Sequence, residues 1–275
     1  MALLEVCCGN PESVDAAVLG GARRIELCAD LEADGLTPPT AGIRDAKARY
    51  PALTVHVLVR PRAGDFVYSP AEADAMAAQV EEALEAGADG IVIGALTPDG
   101  DVDLPLMERL VSLVESFNLA AELLRSDLCH AANDSHFFPG PGHRVSLTFH
   151  RAFDRCRRPF DALEQIIGLG CDRILTSGQA PTAEAGAAML RELRRRARGR
   201  IGILPGGGVT PGNAARILAE TGCAEIHASA SVTLAGKKVT DAGLVAEILQ
   251  AINWSTTFFR VLTTDCPKIR TFVLP

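Results

Sequence analysis

Two Glu-x-Cys tripeptides, Glu5-Val6-Cys7 and Glu26-Leu27-Cys28, each set a carboxylate and a thiol two residues apart within a short apolar run. Residues two apart in an extended strand share a face. Each run therefore presents Glu and Cys on one side and Leu4 with Val6, or Ile25 with Leu27, on the other. Later runs repeat the spacing with His56, Leu58 and Arg60, with Ser146, Thr148 and His150, and with Glu225, His227 and Ser229. Carboxylates and imidazoles serve proton transfer, thiolates bind soft metals and guanidinium groups bind anions. Each type also has a plain structural use. A buried thiol is a common small core residue, and opposite charges can close a core as ion pairs without chemistry.

The elements that must position these groups are announced by a recurring segment. Gly21-Ala22-Arg23-Arg24-Ile25 reads as a helix stop followed by a strand start. It recurs as Gly87-Ala88-Asp89-Gly90-Ile91, Gly170-Cys171-Asp172-Arg173-Ile174 and Gly222-Cys223-Ala224-Glu225-Ile226, with room for one further strand and helix between copies. Eight strands alternating with helices require a parallel sheet, and the internal repeat favours closure, so the expected fold class is α/β, a TIM (β/α)8 barrel. Strands are predicted at Leu3–Cys8, Ile25–Cys28, Thr54–Val59, Ile91–Ile93, Val145–His150, Ile174–Thr176, Ile201–Leu204 and Glu225–Ala230. Residues 1–252 form one domain in this reading, and Asn253–Pro275 is an unplaced tail. The fourth helix is predicted over Asp103–Phe117, and Asn118–His143 is an inserted loop before strand five, part weakly helical and part a Pro-Gly-Pro-Gly turn cluster, on the face opposite the catalytic loops. His130, His136 and His143 within it read as loop residues, since no pair has the spacing of a helix face or a zinc hairpin.

In such a barrel the apolar alternates face the helices, which turns Glu5, Cys7, Glu26, Cys28, Arg60, His150 and His227 into the lumen. The strand ends that carry Cys7, Cys28, Arg60 and His150 are those where barrels keep their sites. Buried charges cost several kcal/mol unless paired, so this inventory reads as a site. Its enzyme reading assigns Arg60 and Arg62 as anion clamps and Glu5, Glu26 or His150 as general acid or base. Gly206, Gly207 and Gly208 after strand seven would be a phosphate cradle, with His227 and Ser229 contributed by strand eight. The ligand would be a small anionic or phosphorylated compound. A divalent metal on Glu5, Glu26 or Asp65 is a further option.

Composition narrows the classes. The chain has 275 residues, of which 48% are hydrophobic, enough to bury a large core. No apolar run approaches the ~20 residues of a membrane helix, and the first strand begins at Leu3, so a cytoplasmic protein without membrane attachment is expected. The eight cysteines are then expected as thiols. A net charge of −7 supplies no field for nucleic acid, and the arginines within Arg191–Arg200 read as a solvated helix end. The glycine cluster follows the seventh strand and lacks dinucleotide or Walker spacing.

The chain resembles the CutC copper homeostasis family. The resemblance rests on Glu5-Val6-Cys7, Arg24-Ile25-Glu26-Leu27-Cys28, Gly35-Leu36-Thr37-Pro38, Arg60-Pro61-Arg62-Ala63-Gly64-Asp65-Phe66, Gly94-Ala95-Leu96-Thr97, Thr148-Phe149-His150-Arg151-Ala152-Phe153-Asp154, Leu175-Thr176-Ser177-Gly178, Pro205-Gly206-Gly207-Gly208 and His227-Ala228-Ser229-Ala230. It implies a TIM barrel, a homo-oligomer that is a dimer or tetramer, and Cu(I) held by two cysteines that match Cys7 and Cys28. Soft thiolates suit Cu(I), and neighbouring strands about 4.8 Å apart can bring two sulfurs to one ion. The pattern departs at Asn118–His143 and after Ala230, where Ser231 stands in place of the family's usual arginine and a Met-x-Phe-Arg-like segment is missing. Two expectations go forward: a copper-binding homeostasis protein, and a barrel enzyme on a small anionic substrate.

Overall fold

The computed structural model describes residues 2–128, 144–234 and 237–264. Strand and helix alternate as β1 (Leu3–Cys8), α1 (Pro11–Leu19), β2 (Arg24–Leu27), α2 (Thr40–Arg49), β3 (Thr54–Leu58), α3 (Pro70–Glu85), β4 (Gly90–Ile93) and α4 (Leu104–Leu128). The second half continues with β5 (Ser146–Phe149), α5 (Pro159–Gly168), β6 (Arg173–Thr176), α6 (Ala187–Ala197), β7 (Gly202–Pro205), α7 (Ala214–Thr221) and β8 (Glu225–Ala228). A short antiparallel hairpin, β9 (Ser231–Leu234) and β10 (Lys237–Thr240), precedes α8 (Ala242–Thr264).

All eight barrel strands pair in parallel in the order β7-β6-β5-β4-β3-β2-β1-β8, and β7 lies against β8 to bring the sheet almost to closure. The fold is a TIM barrel, as its alternation demands. Val6, Ile25, Val55, Val57, Ile91, Leu147, Phe149 and Ile174 are fully buried on the outer face of the strands. They meet the apolar stripes of the helices, among them Val14, Met76, Val80, Leu110, Leu163 and Leu190. The shell between strands and helices is therefore the main core, and the lumen is left for other chemistry.

Two helices run further than expected. α4 continues past Phe117 to Leu128, because Leu119-Ala120-Ala121-Glu122-Leu123-Leu124-Arg125 are strong helix formers. Asn118, expected at the start of a loop, sits inside that helix and clamps the chain before β5, accepting from Val145 N–H at 2.8 Å and donating to Val145 O at 3.0 Å. The tail expected from Asn253 begins as a continuation of α8. His130, His136 and His143 lie outside the described residues.

The hairpin was not expected and bears on the site. Thr240 pins it over the end of β1: its N–H donates to Ser13 Oγ at 3.2 Å and its hydroxyl to Cys7 O at 3.4 Å. Lys238 N–H reaches Glu32 Oε1 in the 3-10 turn after β2 at 3.3 Å.

Candidate metal centre

The floor of the lumen is a closed ring of side chains from six strands. Glu5 Oε2 lies 2.7 Å from Arg24 Nε and 2.9 Å from His56 Nδ1. Arg24 continues to Glu225, whose Oε2 accepts from Arg173 Nε at 2.9 Å. Arg173 donates to Ser146 Oγ at 3.2 Å, and Ser146 returns to His56 Nε2 at 3.2 Å. Gly90 on β4 leaves the room this ring needs, since a Cβ there would stand 2.4 Å from His56 Cδ2. The expected inward set omitted Arg24 and Arg173. Each is the alternate residue one step before a lumen residue on its own strand, and each was passed over because its strand was begun one residue late.

Above the ring stands the soft-donor cluster. β1 and β2 pair with Cys7 opposite Glu26, and Cys28 follows directly after β2, so the two thiols converge with Cys7 Sγ 3.6 Å from Cys28 Sγ. His227 on β8 completes the group: donor atoms of Cys7, Glu26 and His227 all lie within 4.8 Å of one another. Leu58 and Val92 form the apolar wall beside Cys28.

Glu5 links ring and cluster. Its Oε1 takes a hydrogen bond from His227 Nδ1 at 2.9 Å, which leaves His227 Nε2 directed at the cluster, 3.7 Å from Glu26 Oε2. A carboxylate on one imidazole nitrogen is the usual support for a metal on the other. Burial by itself would raise the Glu5 carboxyl, but hydrogen bonds from His227 and His56 and the charge of Arg24 hold it well below the ordinary carboxylate range. With both oxygens engaged and no exposed surface, Glu5 acts as a fixed anion that orients its neighbours. Glu26 is raised, first by burial and further by the Glu5 charge. Cys7 is held as a thiol by its contact with Cys28 and by burial. Burial works against a charged His227, yet the Glu26 carboxylate and the contacts to Cys7 and Glu5 raise it well above its usual value. A metal ion bound here would have to displace these protons, the ordinary coupling for thiol and imidazole ligands.

The cluster opens into a cavity of about 450 Å³ at the carboxyl ends of the strands. Glu26, Arg60, His150, Gly207, Gly208, His227 and Ser229 all line it. Arg60 is less free than an anion clamp would be. Its Nη1 is spent on Ala33 O at 2.9 Å and Gly35 O at 3.0 Å, and Nη2 on Gly64 O at 3.1 Å. Arg62 turns away to Glu72, Asp65 and Val67 O, and is not on the lining. Asp65 accompanies it, with a side chain 70% exposed. Gly206 packs beneath the lining against Leu175 and His227. The cavity wall also contains Phe66, Arg151, Asp154, Arg155 and Lys238, none of which had been singled out as site residues. Arg151 and Asp154 stand within Arg151-Ala152-Phe153-Asp154 beyond strand five, where barrel position alone pointed to them; Lys238 required the hairpin.

These features define a (β/α)8-barrel protein with its candidate site at the carboxyl ends of the strands. A sequence model of the CutC family matches residues 2–135 and 141–232. A CutC family protein of Bacteroides fragilis is 45% identical over 228 residues, 83% of this chain and 80% of the relative. One of Chromobacterium violaceum is 43% identical over the same length, covering 83% and 81%. A solved structure from Streptococcus agalactiae, named for copper homeostasis as CutC, superposes with a TM-score of 0.69 at 28% identity, covering 83% of this chain and 99% of that one. The chain belongs to the CutC family. The match ends at residue 232, so most of the hairpin that reaches back over Cys7 lies beyond it.

Proposed function

We propose that this chain handles copper by binding Cu(I) between Cys7 and Cys28, with His227 as a third donor. The observation that carries the reading is the 3.6 Å separation of the two sulfurs, next to an imidazole whose far nitrogen is fixed by Glu5. Two thiolates and an imidazole form a soft to borderline donor set, which selects Cu(I) over hard cations. Glu26 is the poorer ligand of the cluster for such an ion and serves better as acceptor for the displaced proton. Family membership and the copper-homeostasis name of the Streptococcus agalactiae relative support the assignment. The cavity supplies a route from solvent to Cys7, Glu26 and His227, with Cys28 directly behind Cys7, as a protein that takes up and releases an ion requires.

Competition titration with a Cu(I) chelator under reducing conditions tests this. One Cu(I) per chain is expected in the native protein. Cys7→Ser with Cys28→Ser should abolish tight binding, and His227→Ala should weaken it. Undiminished stoichiometry in the double cysteine variant would overturn the assignment and direct attention to Cys156 and Cys223.

A further inference from the structure

The copper reading leaves the other wall of the cavity without a task. His150 follows β5, is 4% exposed, and turns Nδ1 toward the chain, where it accepts from Ala152 N–H at 3.1 Å. In the neutral ring the proton then sits on Nε2. Burial first, and the nearby Arg60 charge second, push His150 down to about 3, so the ring is neutral at physiological pH. Yet Nε2 is buried and has no partner among the described residues. Arg60, 5% exposed, shows the same pattern: its terminal nitrogens are committed to backbone carbonyls, but Nε has no partner. Phe66 holds the two together, its ring 5.1 Å from the Arg60 guanidinium and 5.0 Å from the imidazole. Two buried N–H donors without acceptors are costly to the free protein and are ready-made for an oxygen ligand.

The surroundings set the sign of that ligand. Arg155 and Lys238 stand exposed at the rim and make no ion pair among the described residues. Of the acidic groups on the lining, Asp154 is occupied by Arg151, Thr176 and Ser177, Glu26 belongs to the thiol cluster, and Asp34 is exposed at the rim. The loop after β7 contributes Gly207 and Gly208, both in the left-handed region at φ 99° and 70°. Among the described residues their amides take no part in the bonds that hold that loop, which run from Gly206 N–H to Thr176 O, from Ala183 N–H to Gly207 O and from Asn213 Nδ2 to Gly208 O.

We propose that this wall binds a small organic oxyanion, with Arg60 Nε and His150 Nε2 donating to its oxygens and Arg155 and Lys238 drawing it in. The shared chemistry is a phosphoryl or carboxylate group, and the site is separate from the copper donors. Metal-free, reduced protein is titrated with inorganic phosphate in one arm and succinate in another, each against chloride at equal ionic strength, by calorimetry and thermal shift. Saturable binding in at least one arm is expected, and the responding arm identifies the group. His150→Phe should weaken it about 10- to 100-fold, the effect of losing a hydrogen bond to a charged partner. Arg155→Ala with Lys238→Ala, which changes only exposed side chains, should weaken it and flatten its salt dependence. If His150→Phe does not fold, the rim variant decides alone. No response above chloride in either arm would overturn the proposal and leave the donors to solvent, as would affinity unchanged in the rim variant. Cu(I) titration of the same samples is a separate readout, so failure of one reading is visible apart from the other.

Discussion

Glu5, fully buried, takes a hydrogen bond from His227 and stands at ion-pair distance from Arg24 and His56, so its charge serves three neighbours at once. Glu5→Gln keeps the shape and removes the charge, which leaves Arg24 a buried cation with one fewer partner. Breaking such a pair from one side costs about 3–5 kcal/mol, and urea unfolding should show a loss of that order. The same change frees His227 to rotate, so Cu(I) affinity should also fall, by about 10- to 100-fold if the support acts as carboxylate–histidine partners generally do. His150 carries a pH prediction of its own. Its folded value is about 3, and an unfolded imidazole titrates near 6.5. Between those limits the unfolded chain binds a proton that the native state refuses, so stability rises with pH across the window. This contribution is complete above about 6.5 and is lost as pH falls toward 3, at up to about 1.4 kcal/mol per pH unit. Urea unfolding at pH 7, 6 and 5 should show a smaller acid loss in His150→Phe than in the native protein, and an identical loss would refute it.

At the scale of elements, the lumen is delivered by strand alternation. That rule placed Cys7, Cys28, Glu26, His56, His150 and His227 from sequence, because the apolar alternates Val6, Ile25, Val55 and Phe149 can only face the helices. It gave directions and not partners. Nothing in a run of residues says that Arg60 will spend its terminal nitrogens on the loop after β2, or that Arg62 will turn to α3. The hairpin was legible in principle, as Val232-Thr233-Leu234 and Lys238-Val239-Thr240 flank Ala235-Gly236. The length of α4 was also legible, in Leu and Ala spacing beyond Phe117. Loop order depends on less visible anchors. Asp154 accepts from Thr176 Oγ1, from the N–H groups of Ser177 and Gln179 and from Ser177 Oγ, tying the turn after β5 to the end of β6. Asp154→Ala should cost about 1–3 kcal/mol through the donors it strands. Amide exchange should quicken at Ser177 and Gln179 while Cu(I) binding persists; unchanged exchange there would show the anchor to be dispensable.

For the whole molecule, all the proposed copper donors come from one chain, so on this proposal binding should not depend on assembly. Among the described residues no helix is long and apolar enough to cross a membrane. The dimer or tetramer that the sequence resemblance implies is retained as a proposal: sedimentation equilibrium is expected to return a multiple of 29.0 kDa, with one Cu(I) per chain at every concentration. A stoichiometry of one per two chains would place the ion between subunits instead. On the copper proposal, two thiols and an imidazole, gathered at the barrel mouth by β1, β2 and β8, hold one copper ion. Anomalous diffraction at the copper edge, from crystals grown with Cu(I) under reductant, tests it most directly. A single strong peak per chain is expected within bonding reach of Cys7 Sγ, Cys28 Sγ and His227 Nε2. A peak at any other group of donors, with the Cys7 and Cys28 sulfurs bare, would contradict it.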